Sequence, residues 1–548
     1  MPTLDWIGKK AVVNHHREVP FHILKEDESL SFGKKDSGNL IVEGDNLVAL
    51  KALLPLYKGK VKCIYIDPPY NTGNEGWVYN DNVNSPEIKK WLGQVVGKEM
   101  EDLSRHDKWL CMMYPRLSLL KEFLSDDGVI FISIDNNEVF FLKILCDEIF
   151  QSQNFISCIS CINNPKGRSD QHYIATAHES IIIYRKSTQC KITGFDAEEH
   201  ITRRYNKIDE NGKWREIDLR KTGSNDLRSD RPNMFYPIYW DTINNKISFQ
   251  YALGLIEIFP MKDNKTEGRW RWGLDTAIQY ANRLFARYMP NKKQWSVFEK
   301  DYFDPSEKIK PTSVWDFKDV NSERGTEEFV KNLRFDKNAF PSPKPVGTIK
   351  RILQIASDKD SIILDSFAGS GTTAQAVLEL NKEDGGNRKF ILCEMLPQVA
   401  EQITRERAKR VIERDGLQEQ TGFKFAKLGE PIYSADGDIN PDIKYADMAR
   451  HVFFMATGTP LAYSKQEFKT PLVGISNGVA IYLLYNGILG DNSVNGGNRL
   501  TQKVLKRLPK HDGVKIIYGT ACGLSESVLR KSNIVFRQIP YSIFERQV

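Results

Sequence analysis

Short apolar runs recur along the chain, and most stop abruptly at an acid or a turn residue. Those at 39–43, 61–66, 129–134, 155–162, 180–184, 361–366 and 390–394 read as buried strands. Amphipathic patterns between them predict helices starting near Leu47, over 116–124, from 135–137 to about Phe150, and over 346–356, 374–380 and 399–413. Strands alternating with helices predict an α/β fold around a doubly wound sheet.

The pattern changes over 187–338. Periodicity weakens, while Arg203, Arg204, Lys207, Lys213, Arg215, Arg220, Lys221, Arg228 and Arg231 recur near Trp214, Trp240, Trp270, Trp272, Trp295 and Trp315. Basic residues among aromatics suit a nucleic-acid groove, with phosphate contacts and stacking side chains. By composition alone they better suit a small irregular domain with an aromatic core and a charged surface. Periodicity returns after the proline-rich joint 340–345. Beyond Lys424, strands are expected near 479–485, 514–518 and 534–538, with a helix near 500–508.

Five spans follow. Residues 1–38 read as a polar arm, 39–186 and 339–425 as two halves of one core, and 187–338 as an insertion. Residues 426–548 read as a C-terminal α/β domain for dimerisation or partner docking. A chain of 548 residues exceeds one hydrophobic core, which agrees with several domains. The net charge of +6 permits nucleic-acid binding without arguing for it, because local clustering matters more. No apolar run is long enough to span a bilayer, and the first residues carry no basic-then-apolar signal. The eight scattered cysteines fit a reducing cytosol, so a cytoplasmic location is expected. Cys158 and Cys161 form one CxxC with no second pair at zinc spacing, so no metal is expected.

Two stretches carry chemistry. The run 61–66 ends in Asp67-Pro68-Pro69-Tyr70. Successive prolines stiffen the backbone, remove two N–H donors and leave carbonyls free to accept. A carboxylate and an aromatic ring stand beside those acceptors. The set suits an exocyclic amine on a flat heterocycle. Residues 71–83, rich in Gly and Asn, read as a flexible active-site loop.

The run 361–366 leads into Phe367-Ala368-Gly369-Ser370-Gly371-Thr372. Glycines at a strand-to-helix turn let a ligand approach the backbone, and a helix N-terminus favours an anionic group. No lysine follows the glycines, against a phosphate-binding loop. The third glycine of a dinucleotide fingerprint is also missing. Glu394, at the next strand end, is placed to accept from two ribose hydroxyls or to cap the following helix.

Asp67-Pro68-Pro69-Tyr70 resembles the catalytic motif of amino-group DNA methyltransferases. With 71–74, Tyr79-Asn80-Asp81, 109–117 and 128–135, the ordered set resembles the modification subunits of Type III restriction systems. Phe367-Ala368-Gly369-Ser370-Gly371 resembles that family's S-adenosylmethionine loop, and a catalytic motif preceding the cofactor motif resembles its beta group. The resemblance implies a Rossmann-like S-adenosylmethionine-dependent methyltransferase sheet of permuted motif order, with a target-recognition domain inserted at 187–338.

It further implies cofactor contacts by Asp365, Phe367, Ala368, Gly369, Ser370, Gly371, Thr372 and Glu394. Asp45 would lie near the cofactor, cap a helix, or do both. Lys344 would face the cofactor's methionine carboxylate. The substrate would be adenine extruded from duplex DNA, since Asp rather than Ser precedes the prolines. Tyr70 would stack on it, while Asp67 and the Pro68 carbonyl accept from its N6 amine next to Pro69. Lys166, Arg168, Arg203 and Arg204 would touch the DNA backbone. A homodimer and a separate helicase-nuclease restriction subunit are the implied partners. There are three rivals: a stand-alone DNA adenine methyltransferase, a DNA-binding specificity subunit with a vestigial site, and an RNA or protein amide methyltransferase, whose relatives usually carry Asn before the prolines.

Overall fold

A computed structural model describes residues 3–72, 86–97, 104–167, 173–196, 204–263, 265–434, 436–461, 468–485 and 497–539. The loop expected over 71–83 lies outside the described residues from 73 onward, as do Arg168 and Arg203. The chain forms two compact units, Met1–Thr193 with Pro311–Val548, and Gly194–Lys310.

The first unit is built on one sheet of eleven strands. Ten are labelled here: β1 His22–Glu26, β2 Leu40–Glu43, β3 Val61–Ile66, β4 Leu124–Ile134, β5 Phe155–Cys161, β6 Glu179–Arg185, β7 Val314–Trp315, β8 Ile362–Asp365, β9 Lys389–Glu394 and β10 Gly422–Pro431. They lie in the order β1-β10-β2-β9-β8-β3-β4-β6-β5-β7, and Phe32–Gly33 also pairs with β10. From β10 through β4 neighbouring strands are parallel, and β6 runs antiparallel to β4. Parallel strands are covered on both faces, which is why these segments read as near-continuous apolar runs. In β3 only Lys62 is not buried.

The centre of the sheet is where the site forms. β8 pairs with β3, Ile363 opposite Cys63 and Leu364 opposite Ile64. From β8 the sheet grows towards β9 and β2, and from β3 it grows the other way, towards β4. Such a reversal opens a crevice at the carboxyl ends of the two central strands. Asp67 and Asp365 stand at those two ends.

Several expectations are corrected. Residues 1–38 are not a polar arm: Trp6, Val12, Val19, Phe21 and Ile23 are buried, and β1 pairs antiparallel with β10. Five apolar residues spread over a polar segment have no period, so their burial is visible only in three dimensions. The helix expected over 116–124 starts earlier: it runs over Arg105–Phe123, opened by a capping box between Ser104 and Asp107. The core sheet resumes before residue 338, because β7 pairs with β5 and Trp315 is fully buried in this unit. Cys158 is exposed and Cys161 buried on β5, as an odd separation on a strand requires.

The C-terminal residues add a second sheet, Leu472–Ser476, Val479–Leu483, Lys515–Gly519 and Ile534–Gln538 in that order. Helix Tyr445–Thr457 buries Met448, Ala449 and Val452 in the same apolar cluster as Phe21 and Leu53. Among the described residues, no helix is long and apolar enough to cross a membrane.

The second unit holds a three-stranded and a four-stranded antiparallel sheet. Trp240 and Trp270 are buried in its core, and the Trp270 indole donates to the Tyr236 carbonyl at 2.8 Å. Many of its basic residues are paired: Arg215 with Asp301 at 2.6 Å, Lys300 with Asp209 at 2.8 Å and Arg271 with Glu299 at 3.2 Å. Part of the aromatic and basic signal over 187–338 is therefore internal packing.

Candidate active site

The end of β3 delivers Asp67 into the crevice, where it is 6% exposed. Pro68 and Pro69 end the strand, and the Pro69 carbonyl accepts from the Trp109 indole at 2.6 Å. Asn71 is buried with a left-handed φ of 57°. Its amide donates to Glu138 and, at 3.2 Å, to the Arg105 carbonyl. Glu138 also takes His106 at 2.7 Å. Both contacts fix the chain direction at either side of Tyr70.

Lys344, arriving from the proline-rich joint, reaches this strand end. Its ammonium lies 3.4 Å from Asp67 Oδ1, donates to Tyr70 Oη at 2.5 Å and pairs with Glu179. Tyr70 donates to Glu179 Oε2 at 2.9 Å. The joint is pinned from behind. A Cβ on Gly325 would fall 2.0 Å from the Pro343 carbonyl oxygen, so only glycine allows helix Ser322–Glu327 so close. Burial raises the Asp67 carboxyl to about 6; Lys344 pulls it down and Glu179 pushes it up. Burial opposes the charge on Lys344, but Asp67 and Glu179 together hold the ammonium above its ordinary value.

The turn after β8 forms the opposite wall. Gly369 and Gly371 have φ of 50° and 76°, and a Cβ on Gly371 would meet the Thr404 carbonyl oxygen at 2.9 Å. Asp365 accepts from the Phe367 N–H at 3.0 Å and from the Thr373 hydroxyl at 2.5 Å. Burial raises its carboxyl to about 7. Glu394 is fully buried and accepts from the backbone N–H of Gly369 at 2.9 Å and of Leu396 at 3.0 Å. Burial raises it well above the ordinary range. Ser370 and Thr372 turn their hydroxyls inward, where the buried Arg407 guanidinium donates to them at 2.9 and 2.6 Å. Their side chains shape the turn from below.

Asp45 is the N-cap of helix Asn46–Tyr57, accepting from Leu47 N at 2.9 Å and Val48 N at 3.2 Å. It also pairs with the buried Arg116 at 3.1 Å. Lys166 and Arg204 are exposed. Sequence reasoning missed Glu179, Trp109 and Arg407. Glu179 opens a strand and looks like a boundary residue. Arg407 sits in a charged helix that reads as surface, although it lies on the apolar stripe with Ala408, Val411 and Ile412.

One crevice is thus lined by Asp67, Phe340, Lys344, Asp365, Phe367, Ala368, Gly369 and Thr372. It pairs aromatic walls with carboxylates and a glycine turn. Next to Asp365 the buried Ser366 hydroxyl has no hydrogen-bond partner among the described residues. These residues fit a nucleoside bearing a small charged chain, which is the make-up of S-adenosylmethionine.

The DNA methylase family model matches residues 61–405. The chain is 32% identical over 487 residues to the Type III restriction-modification enzyme EcoPI Mod subunit of Escherichia phage P1, covering 82% of this chain and 74% of that one. It is 37% identical over 371 residues to the Type II methyltransferase M.KpnI of Klebsiella pneumoniae, covering 67% and 83%. Among solved structures, PvuII DNA methyltransferase, a cytosine-N4-specific enzyme, is 12% identical with a TM-score of 0.33 over 70% of this chain and 95% of that one. The chain belongs to the family of N6/N4 DNA methylases, enzymes that use S-adenosylmethionine.

Proposed function

We propose that the chain methylates adenine N6 in duplex DNA and serves as the modification and recognition subunit of a Type III restriction-modification system. The observation that carries this reading is that Asp67, at the end of β3, and Phe367, Ala368, Gly369 and Ser370, in the turn after β8, line one crevice. The resemblance to the EcoPI Mod subunit over 82% of the chain supports the system.

Asp67 and the Pro68 carbonyl accept the two N6 hydrogens of an extruded adenine, and Tyr70 stacks on its ring. Those bonds draw the nitrogen lone pair out of conjugation and aim it. When bound, S-adenosylmethionine would supply an electrophilic sulfonium methyl for that nitrogen, with the C–S electron pair left on sulfur. Phe367, Ala368, Gly369, Gly371, Asp365 and Glu394 would hold it, the last through lone pairs left beside its backbone bonds. The methylated nitrogen then loses one proton to Asp67 or water. No covalent enzyme intermediate is required, so catalysis is positioning and fixed charge.

The insertion over 187–338 would read the DNA site, and Lys166, Arg168, Arg203 and Arg204 would touch its phosphates. The C-terminal sheet is assigned to a second copy or to a helicase-nuclease subunit, and the assembly works in the cytoplasm. A stand-alone methyltransferase is the second reading, favoured by the likeness to M.KpnI.

The test is long-read modification calling on DNA from a methylation-free bacterial host expressing the chain or its Asp67→Ala variant. We expect N6-methyladenine in one short motif, absent with the variant. Methylcytosine, or equal modification by the variant, refutes the assignment. Co-purification of a large helicase-nuclease chain from the native host separates the two systems.

A further inference from the structure

Glu179 is the first residue of β6, and the reaction above leaves it without a role. It is 5% exposed. It takes both the Tyr70 hydroxyl and the Lys344 ammonium, and that ammonium also stands 3.4 Å from Asp67. Two carboxylates therefore share one lysine, and the cluster carries one net negative charge when all three are ionised. The other titratable groups facing it are Tyr65 on β3, Cys161 on β5 and Asp365 on β8. Burial keeps the Tyr65 phenol and the Cys161 thiol neutral at pH 7.

The sharing matters for the chemistry. Without Glu179, Lys344 would pair with Asp67 alone and cancel its charge. The acceptor nitrogen becomes cationic on methylation and stays so until its proton leaves. In a site shielded from water, a cluster that keeps one net negative charge stabilises that cation, and a neutral ion pair does so far less. We propose that Glu179 is a positioning residue for methyl transfer: it shares Lys344 with Asp67 and accepts from the Tyr70 hydroxyl, so that the cluster keeps a net negative charge towards the amine and the Tyr70 ring stays fixed for stacking. This rests on Asp67 holding the amine, as proposed above.

The variant is Glu179→Gln, which keeps the volume and the acceptor for Tyr70 but removes the charge. We expect kcat to fall about 10- to 100-fold, while cofactor affinity by calorimetry changes less than about threefold. A second readout needs no turnover. In cofactor-free protein with 13C-labelled aspartate carboxyls, the Asp67 signal, assigned by its loss in Asp67→Asn, should titrate at lower pH than in wild type. The reason is that Lys344 then serves Asp67 alone. Unchanged kcat with an unchanged titration overturns the proposal. So does a titration that moves upward.

If thermal melting shows that Glu179→Gln does not fold, Glu179→Asp keeps the charge and should retain kcat within about tenfold. A loss there as large as that of Asp67→Ala overturns it equally. Activity in Asp67→Ala would sink the underlying reading. An inactive Asp67→Ala beside a normal Glu179→Gln would sink this inference alone.

Discussion

The two strand ends that meet in the crevice are held by opposite means. The glycine turn after β8 is held mostly by its own neighbourhood: Thr373 reaches Asp365 across 8 residues, Glu394 takes Gly369 across 25, and Arg407 takes Ser370 across 37, while Asn46 reaches it from afar, donating to the Ser366 carbonyl across 320. The end of β3 is held mostly from farther off, by Glu179 across 109 residues and Lys344 across 274, with Trp109 across 40. A turn that offers backbone to a ligand needs only glycines and a few local bonds. A carboxylate kept out of water and still charged needs a partner charge, and here that partner arrives from the other side of the insertion. A fragment ending before Ser361 should therefore be inactive, since it lacks the whole glycine wall.

Four measurements sharpen the contrast. The largest effect is expected at the distant-held end. Asp67→Ala should lower kcat by about 10³-fold or more while calorimetry finds cofactor affinity within a few-fold of wild type. Comparable loss of both would mean that the two walls are not separable.

Next comes pH. The Asp67 carboxyl is raised to about 6. Below that pH it is protonated and loses the negative charge that strengthens its bond to the amine and stabilises the developing cation, so kcat/KM should fall about tenfold per unit as pH drops. A pH–rate profile flat to pH 5 would break this assignment.

At the locally held wall, Arg407→Met should leave the buried hydroxyls of Ser370 and Thr372 without their donor. We expect about 2–3 kcal/mol lower stability by urea titration and about tenfold weaker cofactor binding. Stability loss with unchanged affinity would show that Arg407 does not shape the turn.

The smallest effect should come from Gly325→Ala, whose Cβ cannot fit against Pro343. It should cost about 1–2 kcal/mol and lower kcat several-fold more than it weakens cofactor binding, because the displaced joint carries Lys344. An equal effect on both would remove Lys344 from the catalytic end.

Much of this was legible in the residues. β3, β8 and β9 are apolar runs that end in Asp67, Asp365–Ser366 and Glu394, and helix Val346–Ala356 has the bounds that its pattern predicts. Asp45 was readable as an N-cap because capping is a bond between near neighbours. Lys344 was readable as a site residue through its family motif, yet its observed partners are Asp67, Glu179 and Tyr70. The polar N-terminal segment, whose buried residues have no period, was not readable as an edge of the sheet.

By itself, then, the sequence determined what depends on neighbours along the chain: strands by apolar runs, turns by glycine and proline, and the types of group each strand end would present. The tertiary structure decided which ends meet and which charges share a partner. Glu179 and Arg407 are the clearest cases. Each belongs to the site only because β6 and the 405–414 helix pack where they do, and a charged residue discloses its burial only once the fold has closed around it.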